Sequence, residues 1–170
     1  MRRLRALLVA LLLPLTCFAA EQQPEYAVKA AFVYNFARFT EWPATVGGDL
    51  VLCTYGADSF GAHLDDVEGK PVGTRTVRLR RRVARDALAQ CHILYVAPEV
   101  VGELPALRQR LQGLPVLFVT DSPGAIRAGA TLNMTLAQNR IAFEANRAAA
   151  RASGLELSYQ LLRLATEVVQ

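Results

Sequence analysis

Apolar residues recur along this chain with two different periods, and the change of period marks its elements. Over residues 25–41 the spacing is helical, with Val28, Phe32, Phe36 and Phe39 on one face and Tyr26, Ala30, Val33 and Ala37 on the next. Trp42-Pro43 ends that helix, since the residue before a proline is disfavoured in helical geometry. Past Gly47-Gly48 the apolar runs shorten to strand length at Leu50–Tyr55, 92–97 and 116–120, while residues 72–82 alternate as one long strand. Between them, residues 59–67, opened by Asp58 or Ser59, together with Arg85–Gln90 and 103–112, read as helical segments. Residues 131–136 and 140–144 flank Ala137-Gln138-Asn139 as a hairpin. Helices near 145–152 and 158–168, parted by Gly154, close the chain.

Strand runs that are apolar throughout, with helices between them, are the mark of parallel strands covered on both faces. The pattern predicts an α/β class: a single-domain layered fold with a mixed, largely parallel sheet flanked by helices on both faces, to which the hairpin adds antiparallel strands. The apolar stripe of the first helix is wide. Its inner part must face the core, and whether the remainder is covered by this domain or by a second protein stays open.

Composition changes the picture mainly at the start. Arg2-Arg3-x-Arg5, an apolar run over 6–13 and then Cys17-Phe18-Ala19-Ala20 have the three regions of a secretory signal peptide, predicted over residues 1–20 and followed by one domain over 21–170. The run is about ten residues long, too short for a membrane span of about twenty, so no membrane insertion is expected after cleavage. Thr16 stands where lipoprotein processing at Cys17 would want a smaller residue. Of the formal charge of +4, three units come from Arg2, Arg3 and Arg5, leaving +1 for the exported chain. Of its three cysteines, Cys17 leaves with the leader, and Cys53 and Cys91 enter a compartment where thiols oxidise.

Most catalytic readings fail on the residues. There is no His-Glu-x-x-His, CxxC pair, GxxxxGK[ST] loop or GxSxG elbow. His63 and His92 lack metal-ligand spacing with the cysteines, and adjacent Cys91 and His92 would point to opposite faces of a strand. No catalytic residue, cofactor or metal is expected. Ligands of open α/β sheets bind at the carboxyl ends of the strands, which carry Gly56-Ala57-Asp58, Ala97-Pro98-Glu99 and Thr120-Asp121-Ser122-Pro123-Gly124. A phosphoacceptor pocket there would need a cation, and the two lysines, Lys29 and Lys70, fall outside these ends. Asp58, Asp121 and Ser122 therefore read as caps and turns, with a small-molecule crevice as the alternative. Arg75, Arg78, Arg80, Arg81, Arg82 and Arg85 form a basic stripe. Without aromatics between Thr74 and Gln90 it does not suit nucleic acid, and it reads as a charged edge strand that discourages aggregation, with a surface for an acidic partner as the remaining option.

The residues from Glu25-Tyr26-Ala27-Val28-Lys29 through Tyr34-Asn35-Phe36 and Phe39-Thr40-Glu41-Trp42-Pro43 closely resemble the opening of the YfiR-like periplasmic proteins. Cys91-His92-Ile93-Leu94-Tyr95, Pro115-Val116-Leu117 with Asp121, Asn139-Arg140-Ile141-Ala142-Phe143-Glu144 and the tail from Gly154-Leu155 follow in the same order. This resemblance implies a non-enzymatic periplasmic regulator. Its partner would be a membrane-bound diguanylate cyclase, inhibited through its periplasmic domain so that cyclic-di-GMP signalling falls, and the protein would be a homodimer. A periplasmic small-molecule sensor acting through another receptor is the runner-up. The resemblance also implies a disulfide between Cys53 and Cys91, either redox-sensing or a structural staple, while a second bridge of the family's namesake has no counterpart here. Tyr34, Asn35, Phe36, Phe39, Trp42, Asn139, Arg140, Phe143 and Glu144 lie in the matching motifs as candidate partner contacts or fold determinants.

Overall fold

The computed structural model describes residues 22–170; the expected leader and Cys17 lie outside the described residues. The elements run α1 (Gln22–Arg38), β1 (Thr40–Glu41), β2 (Leu50–Tyr55), β3 (Pro71–Val72), β4 (Arg75–Arg80) and β5 (Ile93–Val96). They continue with α2 (Leu104–Arg110), β6 (Leu117–Thr120), β7 (Leu132–Ala137), β8 (Arg140–Asn146), α3 (Arg147–Ala152), β9 (Glu156–Leu157), α4 (Tyr159–Leu162) and β10 (Glu167–Val169). Short 3-10 turns occupy Gly61–Val67, Arg85–Gln90 and Pro98–Glu103. Eight strands form one sheet in the order β10-β8-β7-β6-β5-β2-β4-β3, parallel except where β7 meets β8 and β3 meets β4.

Alternation along the central strands sends side chains to two cores. Leu50, Leu52, Ile93, Tyr95, Leu117 and Val119 enter the one covered by α1, whose Ala30, Val33, Phe36 and Ala37 are buried against them. Cys53, Leu94, Val96 and Phe118 enter the other, covered by Leu104 and Leu107 of α2. Strands buried on both faces have no polar alternation, which is why their sequences read as continuous apolar runs. The expected layered α/β fold is the observed one.

Three boundaries differ from the sequence expectation. The first helix stops at Arg38 rather than at Glu41, because the Thr40 hydroxyl donates to the Phe36 carbonyl at 2.7 Å and Thr40–Glu41 pair antiparallel with Glu156–Leu157. The expected single strand over 72–82 is a tight hairpin: Gly73, at φ +60°, turns the chain so that Val72 pairs with Arg75. The expected helix over 158–168 is a single turn, α4, followed by β10, which lies parallel to β8. In that last case a long-range ladder outweighs local helical spacing.

The basic stripe is engaged from within. Arg78 meets Asp49 at 2.9 Å and Glu68 at 3.3 Å, Arg81 meets Asp58 and, at 2.6 Å, Asp65, and Arg85 meets Glu103 at 3.4 Å. The outer edge of β4 is closed by β3 and by the Glu68–Lys70 segment, with the Val77 amide donating to the Lys70 carbonyl and the Leu79 amide to the Glu68 carboxylate. The charges protect an edge already shielded by backbone.

Candidate functional site

β5 and β6 end side by side, and the first residue past β6 is Asp121. Its side chain is 3 % exposed, and its two oxygens are taken from two directions: Tyr95 Oη, from β5, donates to Oδ1 at 2.6 Å and Lys29 Nζ, from α1, donates to Oδ2 at 2.6 Å. Lys29 also meets Glu25, one helical turn earlier, at 2.5 Å, and lies 4.5 Å from the centre of the Tyr26 ring. An edge-to-face series, Tyr26 on Phe60 at 5.4 Å and Phe60 on Tyr95 at 4.7 Å, fixes the positions of these groups. The expectation that neither lysine serves a strand end is therefore wrong for Lys29. It lies ninety-two positions before Asp121 in the chain, and only the docking of α1 brings them together.

Electrostatics follow from burial. Desolvation pulls the Lys29 pKa down, but the hydrogen bonds to Asp121 and Glu25 outweigh it and the net direction is up, so the ammonium stays charged. Burial, reinforced by the Asp121 charge, pushes the Tyr95 phenol far above its ordinary range, so it remains a donor. Asp121 does not cap a helix, as its sequence context suggested; it is the acceptor of a buried network. The neighbouring end of β2 is closed: the Ala57 amide donates to Glu99, and Gly56, at φ +93°, leaves no room for a Cβ, which would meet Glu99 Oε1 at 2.6 Å. Beside Asp121 the fold stays open. A cavity of about 480 Å³ is lined by Glu25, Lys29, Asp121, Met134, Leu136 and Glu144, among others.

The motif residues separate by environment. Phe36 and Phe143 are buried and stack edge-on at 5.1 Å. Trp42 Nε1 donates to the Ala37 carbonyl at 3.0 Å, satisfying the end of α1, and half-buried Phe39 packs on the same core. Tyr34 Oη donates to the Pro71 carbonyl at 2.8 Å, and Asn35 accepts from Arg38 at 3.4 Å. Asn139, at φ +62°, is a turn residue, and Arg140 beside it is exposed. Glu144 alone of these lines the cavity, its Oε2 accepting from Asn133 Nδ2 at 2.8 Å. Asn133, whose Oδ1 accepts from the Ser122 amide, ties β7 to the Asp121 loop and gave no signal in sequence.

Cys53 and Cys91 are joined, with Cα atoms 5.8 Å apart and a sequence separation of 38. Both are buried, 0 % and 2 % exposed, against Leu88 and Leu94 in the core opposite the Asp121 network. His92 is structural: its Nδ1 accepts from the Val51 amide at 3.0 Å, and Trp42 stands edge-on to it at 6.5 Å. Among the described residues no group of His, Cys, Asp and Glu is placed to hold a metal ion, and no helix is long and apolar enough to cross a membrane.

A family model described as YfiR/HmsC-like matches residues 26–166. No curated protein matches the chain.

Proposed function

The chain belongs to the YfiR/HmsC-like family, and on that premise we propose that it is a periplasmic regulator that binds the periplasmic domain of a membrane-bound diguanylate cyclase and restrains it. The family match over residues 26–166 carries this reading. Two features of the molecule support it. The Asp121 network is internally satisfied, with a fully engaged lysine and a phenol held protonated, which suits a binding scaffold better than a reacting centre. Val28 of α1 and Leu136 of the β7–β8 hairpin leave apolar surface exposed, 45 % and 61 %, where a partner can remove it from water. The same premise proposes a homodimer, which light scattering of the exported chain tests.

The disulfide serves this reading as a staple. Both sulfur-bearing residues are buried, so a soluble reductant meets the bond only when the sheet opens. Deleting the gene and measuring cyclic-di-GMP is the decisive experiment: the messenger rises if the protein restrains a cyclase. An unchanged level, with no cyclase periplasmic domain captured by the exported protein, overturns the proposal.

A further inference from the structure

The cavity beside Asp121 has no task in the cyclase reading, and its volume of about 480 Å³ suits a small ligand. Three carboxylates, Glu25, Asp121 and Glu144, share its wall with one ammonium, and Lys29 is already engaged at 2.6 Å and 2.5 Å by two of them. The other oxygen of Asp121 is closed by Tyr95. Glu144 stands differently: it is half-buried, Asn133 holds Oε2, and among the described residues nothing donates to Oε1. Glu25, 31 % exposed, shares with Glu144 the excess negative charge of the cavity. Partly desolvated carboxylates in excess favour a cation and turn anions away.

The cation is organic rather than metallic. A hard divalent ion asks for six or more oxygen ligands, and the described residues hold no cluster placed for one. A primary ammonium asks only for acceptors around three N–H groups, and the rest of this wall supplies apolar contact from Met134 and Leu136. We propose that the cavity binds a small aliphatic amine, with its ammonium on the free Oε1 of Glu144 and its carbon chain along Met134 and Leu136. Because the wall comes from both α1 and the β7–β8 hairpin, an occupied cavity joins the helix to the hairpin tip.

Calorimetric titration of the exported protein with cadaverine, with the pentanediol of the same length and with magnesium chloride tests this directly. Saturable binding of cadaverine alone is expected. Glu144→Gln, whose amide oxygen still accepts from Asn133, should bind it roughly tenfold more weakly, and Leu136→Ser, at an exposed position, should also weaken it. Thermal melts confirm that each variant is folded. Absence of saturable cadaverine binding to the folded protein, equal binding of the diol or magnesium, or unchanged affinity in Glu144→Gln overturns the assignment. None of these outcomes bears on the cyclase reading, which is tested in cells.

Discussion

At the residue scale the protein depends on a few polar groups placed where burial makes them costly to disturb. Lys29 is the first. A buried ion pair adds little net stability over an apolar pair, but removing one partner strands the other, at about 3–5 kcal/mol. Lys29→Met should therefore destabilise by about that much in urea denaturation, and Lys29→Met combined with Asp121→Asn should cost less than Lys29→Met alone. His92 is the second. Burial first, and then the Arg75 charge, hold its folded pKa below the ordinary value, and its Nδ1 must be unprotonated to accept from the Val51 amide. The unfolded imidazole takes up a proton near pH 6.5, while the folded one resists until lower pH, so the unfolded state binds more protons in that window. Its contribution is complete above about pH 6.5 and lost as pH falls toward the folded value. Urea midpoints measured between about pH 7.5 and pH 5 should fall, and fall less in His92→Gln.

At the scale of elements, turns and caps decide where strands begin and which face they present. The β7–β8 turn places Gln138 and Asn139 at φ +49° and +62°, between Ala137 and Arg140, which pair directly. That is the two-residue turn in which both central residues sit in the left-handed region, favourable for Asn and Gly and unfavourable for Gln. Gln138→Gly should raise stability by about 0.5–1 kcal/mol, measured by chemical denaturation. At Gly56 the opposite holds, since a Cβ would lie 2.6 Å from Glu99 Oε1 and 2.7 Å from Val100 Cγ2 on a backbone already at φ +93°. Gly56→Ala should cost about 1–3 kcal/mol by the same measurement. Among the described residues, ladder pairing to other strands reaches only the base of the hairpin. β6 pairs with Leu132 and Asn133 of the inner strand and β10 with Glu144 to Asn146 of the outer one, so the remainder projects past both neighbours and is anchored by Phe143 on Phe36 and Phe32.

At the scale of the whole molecule, the Cys53–Cys91 bond ties a central strand to the entry of its neighbour and closes a segment of 38 residues. Loop-closure entropy assigns it about 4 kcal/mol, so replacing both cysteines with alanine should lower the unfolding free energy by roughly that amount, and thiol trapping under native conditions should find the bond intact until the protein unfolds. Much of this architecture was legible beforehand. The apolar runs at β2, β5 and β6 specify strands buried on both faces, because every position along them meets a core, so the run is apolar throughout and of strand length. The family resemblance was legible in the motif around Asn35 and in the one around Asn139. Short-range signals failed where distant partners decided the outcome: Thr40 left its helix for a ladder with Leu157, and Glu167–Val169 became a strand because β8 offered an edge. The sequence by itself determined the layers and the absence of familiar catalytic motifs. Only the tertiary structure decided that Lys29, Tyr95 and Asp121 meet, that Glu144 faces an open cavity and that Arg78, Arg81 and Arg85 of the arginine stripe are answered by carboxylates. Helical and strand periods report which face of an element is buried, whereas a hydrogen bond between residues ninety-two positions apart exists only once the elements carrying them have docked.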